Sequence, residues 1–308
     1  MGNFAGISTI YDLPNYVGEL FSITPFETPF LSMIGGLTGG METQSTDFTW
    51  QTVDNAAAAQ PAILEDAAPV NEERTRSQVS NVAQIFQYGI GLGYSNQAAR
   101  GNLSGISIVG NQPVQDELSL QTTLKLQRAA RDIEYSFLQG AYQKPTDNTT
   151  ARKTRGLKNA ITTNAVAAAS ATLSRTHTQA LWKAMADSGA PFSNTVVFAN
   201  SFQRMQLTNI YGYAPEDRNI GGLSIKQIEM DFGYVGIAYN RFMPVDEIYA
   251  VEIPVCAPRM LNIPKRGFLF VEPMAKTKSA DEFQLYGEVG LEYGPELWHG
   301  KVTGLATA

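Results

Sequence analysis

QPVQDELSLQTTLKLQRAARDIEYSFLQGAY, residues 112–142, is the longest uninterrupted helical pattern in the sequence. Pro113 stands where a first helical residue would be, and Asp116 and Glu117 fill the first turn. Neither proline nor glycine follows until Gly140. This suits a helix start, with acidic side chains near the positive end of the helix dipole. At ~1.5 Å per residue the stretch spans roughly 40 Å, longer than an ordinary domain helix. Its second half carries an apolar stripe of Leu126, Ala130, Ile133 and Phe137, which predicts one core-facing side. Leu120 and Leu124 lie on a different side, so the helix is expected to meet different partners along its length.

Working outward, the bulk properties are those of a globular chain. It has 308 residues, 44% hydrophobic and 17% charged, enough to bury a core in two domains or one elaborate one. No apolar run is long enough to cross a bilayer. The start, MGNFAGIST, has neither a basic n-region nor an apolar h-region, and Gly6 breaks the myristoylation pattern. The one cysteine, Cys256, makes no internal disulfide, and cytoplasmic synthesis is expected. The net charge of −6 is unevenly spread. Residues 1–124 hold 3 basic and 12 acidic residues, and no lysine precedes Lys125. Residues 125–308 hold 20 basic and 17 acidic residues. A dedicated nucleic-acid groove would favour the opposite overall sign.

Before the long helix, residues 12–21 form a short helical candidate. TPFETPFLSMIGG then reads as an arm without a core of its own. TDFTWQTV, residues 46–53, reads as a strand with Phe48 and Trp50 on one face. VAQIFQYGIGLGY, residues 82–94, reads as a second, longer strand. Its Gly89, Gly91 and Gly93 suggest a backbone or ring lying close against that face. The two strands are expected to form one long arm, with 54–81 as an extended tip. A loop that long in a compact domain is usually functional, and a lone hairpin is marginal in water. The arm therefore asks for a partner surface, most simply another subunit.

After the long helix comes a basic loop, residues 144–158. A second unit begins at the N-cap Ser174, with Leu181, Trp182 and Met185 on one helix face. TVVFA (195–199) is a strand, 202–210 a short helix, and 211–222 a turn-rich loop. IKQIEMDF, YVGIAYNRF and EIYAVEIPV are strands, with Pro254 marking a strand edge or end. GFLFVEPM and QLYGEVGLEYG are strands expected to return to the long helix.

Chemistry-bearing patterns are nearly absent. His177, His299 and Cys256 give no zinc or nucleophile spacing, and His177 reads as a surface or capping histidine. GIGLGYS at 89–95 misplaces the third glycine of a dinucleotide loop, and no P-loop lysine pattern exists. The acidic pairs Glu65/Asp66, Glu72/Glu73 and Asp246/Glu247 read as solvated surface. The basic loop reads as a solvated loop balancing acidic neighbours rather than a nucleic-acid contact. No catalytic, cofactor-binding or metal-ligating residue is assigned, and no cofactor is expected.

Several ordered stretches together carry a resemblance: TPFLSMIG, FTWQTV, LEDAAP, RTRSQVSNVAQIF, RAARDIEYSFLQG, TRGL, IEMDFGYVGIAYNRFMP, and LYGEVGLEYG with HGKV. They resemble tailed-phage major capsid proteins of the Hong Kong 97-type fold over about residues 25–305. The resemblance implies an α+β fold with an N-terminal arm (1–44) and an extended hairpin loop over a neighbouring subunit (45–95). It further implies a peripheral domain with the spine helix (96–173), an axial domain (174–264), and a return to the peripheral domain (265–308). The implied function is self-assembly into an icosahedral head shell around the genome of a tailed double-stranded DNA phage. The shell would be built in the host cytoplasm from hexamers and pentamers, with scaffold, portal and decoration proteins as possible partners and no membrane. Expected subunit contacts are Trp50, Leu64, Arg74, Arg76, Phe86, Tyr88, Glu216, Asp217 and Arg218. The founding member of the fold crosslinks through a lysine in the extended loop, and here that loop has none. An encapsulin-like compartment shell, and more remotely a soluble hydrolase using the acidic pairs, are the alternatives.

Overall fold

The computed structural model describes residues 27–54, 57–60, 62–68, 71–94, 117–212, 216–220 and 223–307. The helical candidate at 12–21, the start of the long helix at Pro113 and the glycine-rich 95–111 lie outside the described residues.

A short helix, α1 (Pro29–Met33), precedes the spine helix α2 (Glu117–Gln139). At ~1.5 Å per residue α2 is roughly 35 Å long. It stops where Gly140 turns the chain back. A Cβ on Gly140 would lie 2.3 Å from the Ser136 carbonyl oxygen and 2.7 Å from that of Thr154. Of the expected stripe, Ile133 and Phe137 are fully buried, Ala130 packs against the core from its edge, and Leu126 is half-buried. Burying a side chain such as Phe137 contributes about 2–3 kcal/mol. The stripe packs on the C-terminal strand β13 (Ala280–Glu292) and on β4 (Gln84–Gly93).

These two strands centre the first sheet. β4 and β13 run antiparallel from Gln84 opposite Val289 to Gly93 opposite Ala280. β13 also pairs with β12 (Leu269–Pro273) and then β11 (Ala257–Leu261), and β11 takes the short parallel strand β1 (Met41–Thr43). The second sheet has the order β5-β14-β10-β6-β9-β8-β7. Its strands are β5 (Ala165–Ala167), β6 (Thr195–Ala199), β7 (Glu216–Ile220), β8 (Leu223–Met230), β9 (Gly233–Tyr239), β10 (Ile248–Glu252) and β14 (Gly300–Thr303). Every residue of β6 and β10 is buried, because both faces of this sheet are covered. One face, with Val197 and Ala250, packs under Leu181, Trp182 and Met185 of α4 (Arg175–Asp187) and Leu207 of α5 (Ser201–Tyr211). The other face, with Phe198, Tyr249 and Val251, shares one core with α1, α2 and the first sheet. A one-turn helix, α3 (Leu157–Ala160), joins that core through Leu157.

The arm differs from the sequence expectation. The strand β2 (Asp47–Val53) pairs with β3 (Arg76–Val82), not with the longer strand 82–94. The hairpin is therefore 47–82, its tip is 54–75, and β4 belongs to the first sheet. RSQVSNV hides this pairing, since its first residues are exposed and its buried end carries the polar Asn81, so the strand shows no apolar alternation. The stretch 211–222 likewise contains strand β7 rather than only loop. The C-terminal return is divided: β13 comes back to the spine helix with β12 paired on it, while β14 joins the second sheet beside β10.

The expected close approach over Gly89, Gly91 and Gly93 is also corrected. Among the described residues nothing lies within 4 Å of a Cβ on any of them. The tight contact is at Gly290, where a Cβ would lie 2.6 Å from Cε1 of Phe48 and 2.8 Å from the Val82 carbonyl oxygen. Phe48 thus seats the hairpin base on β13. Gly290→Ala is expected to lower unfolding free energy by about 1–3 kcal/mol in urea titrations, as overpacking does. Gly89→Ala, facing open space, should stay within about 0.5 kcal/mol of wild type.

Candidate assembly site

The hairpin is locked at its base and bare at its tip. Beside Phe48, the Trp50 ring stacks at 6.2 Å and meets Tyr293 edge-on at 4.9 Å. The Trp50 indole N–H donates to the Gly294 carbonyl at 2.9 Å. Asn81, fully buried, is the knot. Its amide nitrogen donates to the carbonyls of Leu291 (2.7 Å) and Arg155 (3.2 Å), and its Oδ1 accepts from the Arg155 N–H (2.8 Å). The basic loop is the strap over this base. Lys144 pairs with Asp47, Arg152 with Glu288 at 2.8 Å, and Arg155 covers the Tyr142 ring at 4.2 Å. Its cations are thus largely engaged by the chain itself. An open cleft of about 1020 Å³ runs beside the base, walled by Met41, Trp50, Val53, Pro254 and Leu297.

Toward the tip, the described residues are mostly exposed. Arg76 donates to Gln51 across the hairpin at 3.0 Å, and Arg74 pairs with Glu72 at 3.4 Å in solvent. Leu64 is 84% exposed and Ile63 67%. Two neighbouring aliphatic side chains of the tip are thus left in water.

The other expected contact residues fall elsewhere. Phe86 is buried in the chain's own core, so it is corrected from a subunit contact to a core residue. A side chain that its own subunit covers has no face left for a neighbour. Trp50 is half-buried and spent on the hairpin base. Tyr88 packs on α2: its hydroxyl donates to Asp132 at 2.7 Å, and Arg128 lies 5.4 Å from its ring centre. Burial, then the bond to Asp132, pushes its phenol far above the ordinary value. Glu216, Asp217 and Arg218 lie on the edge strand β7, opposite Gln227, Lys226 and Ile225, and their side chains fall outside the described residues. On α2, Leu124 is exposed and Leu120 half-buried. His177 does serve as a cap, forming a capping box with Ser174.

One fully buried acid escaped the sequence reading. Glu134 on α2 is fully buried. Its Oε1 accepts the Phe30 N–H at 2.9 Å and its Oε2 the Leu31 N–H at 2.6 Å; both are orphan donors of α1. Asn240, from the loop after β9, donates to Oε1 as well. Burial raises its pKa to about 7, against the lowering effect of the three hydrogen bonds. The only sequence signal was an acid at the rim of the apolar stripe, between Ile133 and Phe137. Other buried polar groups are structural. Glu252 accepts from Ser193, Thr195 and the Asn194 N–H, and His299 binds the Glu252 N–H and the Tyr293 carbonyl. Burial lowers the His299 pKa and pushes the Cys256 thiol far up.

Among the described residues no group of three or more His, Cys, Asp or Glu side chains is arranged to hold a metal, and no helix is long and apolar enough to cross a membrane. The sequence model of the SU10 major capsid protein family matches residues 3–306. The chain belongs to the SU10 major capsid protein family. Its α+β fold is the Hong Kong 97 type expected from the ordered segments, and it is a shell-forming capsid protein. No curated protein matches it. Solved structures carry the same fold at low identity. A capsid chain of cyanophage A-1(L) is 12% identical with a TM-score of 0.67, covering 96% of this chain and 97% of that one. The capsid of a native gene transfer agent (GTA) particle is 12% identical with a TM-score of 0.63, covering 96% of each chain. The SrpI encapsulin of Synechococcus elongatus is 10% identical with a TM-score of 0.59, covering 96% and 93%.

In this capsid protein the knot at Asn81 is the point to cut. Asn81→Ala strands the Leu291 and Arg155 groups in the interior and should cost on the order of 3 kcal/mol in denaturant titrations. Arg74→Ala, removing only a solvated ion pair, should change stability by less than about 0.5 kcal/mol.

Proposed function

We propose that this chain builds the closed icosahedral head of a tailed double-stranded DNA phage, as hexamers and pentamers joined by their hairpins. The observation that carries the reading is the bare tip: Ile63 and Leu64 are exposed on a hairpin whose base is fastened by Phe48, Trp50 and Asn81. A locked base with an apolar end is suited to reach a second copy. On this reading 1–44 is the N-terminal arm, the hairpin and its flanks (45–95) the extended loop, 174–264 the axial domain, and the remainder the peripheral domain. Leu64, Arg74 and Arg76 would contact the neighbouring subunit, and Glu216, Asp217 and Arg218 would meet their counterparts around the capsomer centre.

Each contact of this kind is modest, and closure makes their loss cooperative. No covalent hairpin crosslink through lysine is open to the chain, since no lysine precedes Lys125. The net charge of −6 suits a container that encloses DNA without gripping it. Scaffold, portal and decoration proteins are further proposed partners, assembly is proposed to take place in the host cytoplasm, and no catalytic step is assigned. The likeness to an encapsulin keeps one second reading, a shell around protein cargo. Packaged DNA in purified shells supports the phage head, and packaged enzyme supports the compartment.

The decisive variant is Leu64→Asp. It should leave the unfolding midpoint within about 0.5 kcal/mol of wild type, while electron microscopy shows free subunits or capsomers in place of closed shells. Normal shells from this variant and from Ile63→Asp would sink the role given to the tip.

A further inference from the structure

Three large apolar side chains left in water meet at one place. Met41 is 52% exposed, Val53 64% and Leu297 43%, and all three wall the open cleft of about 1020 Å³ beside the hairpin base. Pro254, Pro295 and Trp298 continue the apolar wall. An exposed apolar hollow of this kind marks a contact with another molecule. Its charges are nearly all spent inside the chain. Glu292 holds Arg259 at 2.5 Å, and Asp187 pairs with Lys183 one helix turn back. Asp54, exposed just after β2, has no ion pair among the described residues. The cleft therefore suits an apolar segment that brings a cation.

The hairpin tip does not qualify, because Glu65 and Asp66 follow Ile63 and Leu64 and repeat the sign of Asp54. The turn between β11 and β12 does. It reads Ile263-Pro264-Lys265-Arg266-Gly267, closed by backbone bonds between Ile263 and Gly267 at 3.0 and 3.1 Å. Pro264 and Lys265 are exposed. Arg266 is held by Glu272 at 2.6 Å, whereas Lys265 has no ion pair among the described residues. Lys265 has a φ of +69°, a left-handed conformation that glycine adopts at less cost. A lysine in such a place is carried for its side chain rather than its backbone. The turn cannot enter its own cleft. Ala257 and Arg259 line the cleft and open β11, which leads away from it. At ~3.3 Å per residue the strand carries Leu261 roughly 13 Å from Ala257, and the turn lies beyond.

We propose that the cleft is the socket for the β11–β12 turn of a second copy. Ile263 and Pro264 pack against Met41, Val53 and Leu297, and the Lys265 ammonium sits beside the Asp54 carboxylate. Socket and turn are different patches, so the contact is head-to-tail, repeats from copy to copy, and closes into a ring where the rotation allows. This rests on the reading of the chain as a shell builder and adds to it a contact separate from the hairpin tip.

Charge exchange in the full chain tests it, read by sedimentation velocity and electron microscopy. Asp54→Lys and Lys265→Glu should each raise the protein concentration needed for assembly at least about tenfold, because each sets like charges together in the socket. The chain carrying both should assemble within about threefold of wild type, since the pair is restored with its signs reversed. Both positions are exposed, so the unfolding midpoint should stay that of wild type. Val53→Lys, on the exposed wall of the socket, should bring the same loss of assembly and decides if a charge variant does not fold. Single variants that assemble as wild type does, or a double variant as defective as the singles, would overturn the socket and leave the shell reading standing. Rings or open chains that answer to the charge exchange but never close would uphold the socket and overturn the closed shell. A wild-type chain that stays monomeric at every concentration would overturn both.

Discussion

β13 is the strand on which the other elements depend. Every buried backbone group must find a partner, and β13 supplies partners on both edges. β4 takes one edge along its whole length, and β12 and then β11 take the other. The spine helix lies across the same strand, and the hairpin is seated on it by Phe48 at Gly290 and by Asn81 at Leu291. A register slip of one residue would turn its core side chains outward and undo sheet, helix packing and hairpin seat together.

From that strand a gradient of constraint runs outward. At the hairpin base, aromatic rings, a buried amide and a basic strap hold the backbone. At the tip the described residues show an exposed Arg74–Glu72 ion pair and a Leu64–Ala67 turn. Exposed pairs contribute little, so the described tip residues add little to what the base fixes. The second sheet, covered on both faces, is the stiff counterweight to this reach. Such a division suits a subunit that makes the same contact in many slightly different places.

Much of the fold was legible because its signals are periodic. The spine helix showed in the spacing of Ile133 and Phe137, and β6 in TVVFA. The short strands β1, β5 and β14 were not legible, since three or four residues hold no period. The hairpin pairing was missed because Ser77, Gln78, Ser80 and Asn81 look alike whether in a strand or a loop. The glycine pattern misled in the opposite sense: Gly89, Gly91 and Gly93 alternate conspicuously but face open space, while the isolated Gly290 meets the ring. Glu134 was hidden because its partners, Phe30, Leu31 and Asn240, are more than a hundred residues away in sequence. The capsid resemblance survived these errors because it rested on the order of many segments rather than on any one pairing.

The position of β13 in the chain has a consequence in time. It follows the hairpin it seats after a long stretch of chain. During synthesis the hairpin residues leave the ribosome long before their seat exists. Pairing between β4 and β13 closes a loop of nearly two hundred residues, a slow and costly step until the final strand is available. Until β13 is made, the Phe48 ring and the Asn81 amide have no seat, so the hairpin base is fixed late although its own residues come early.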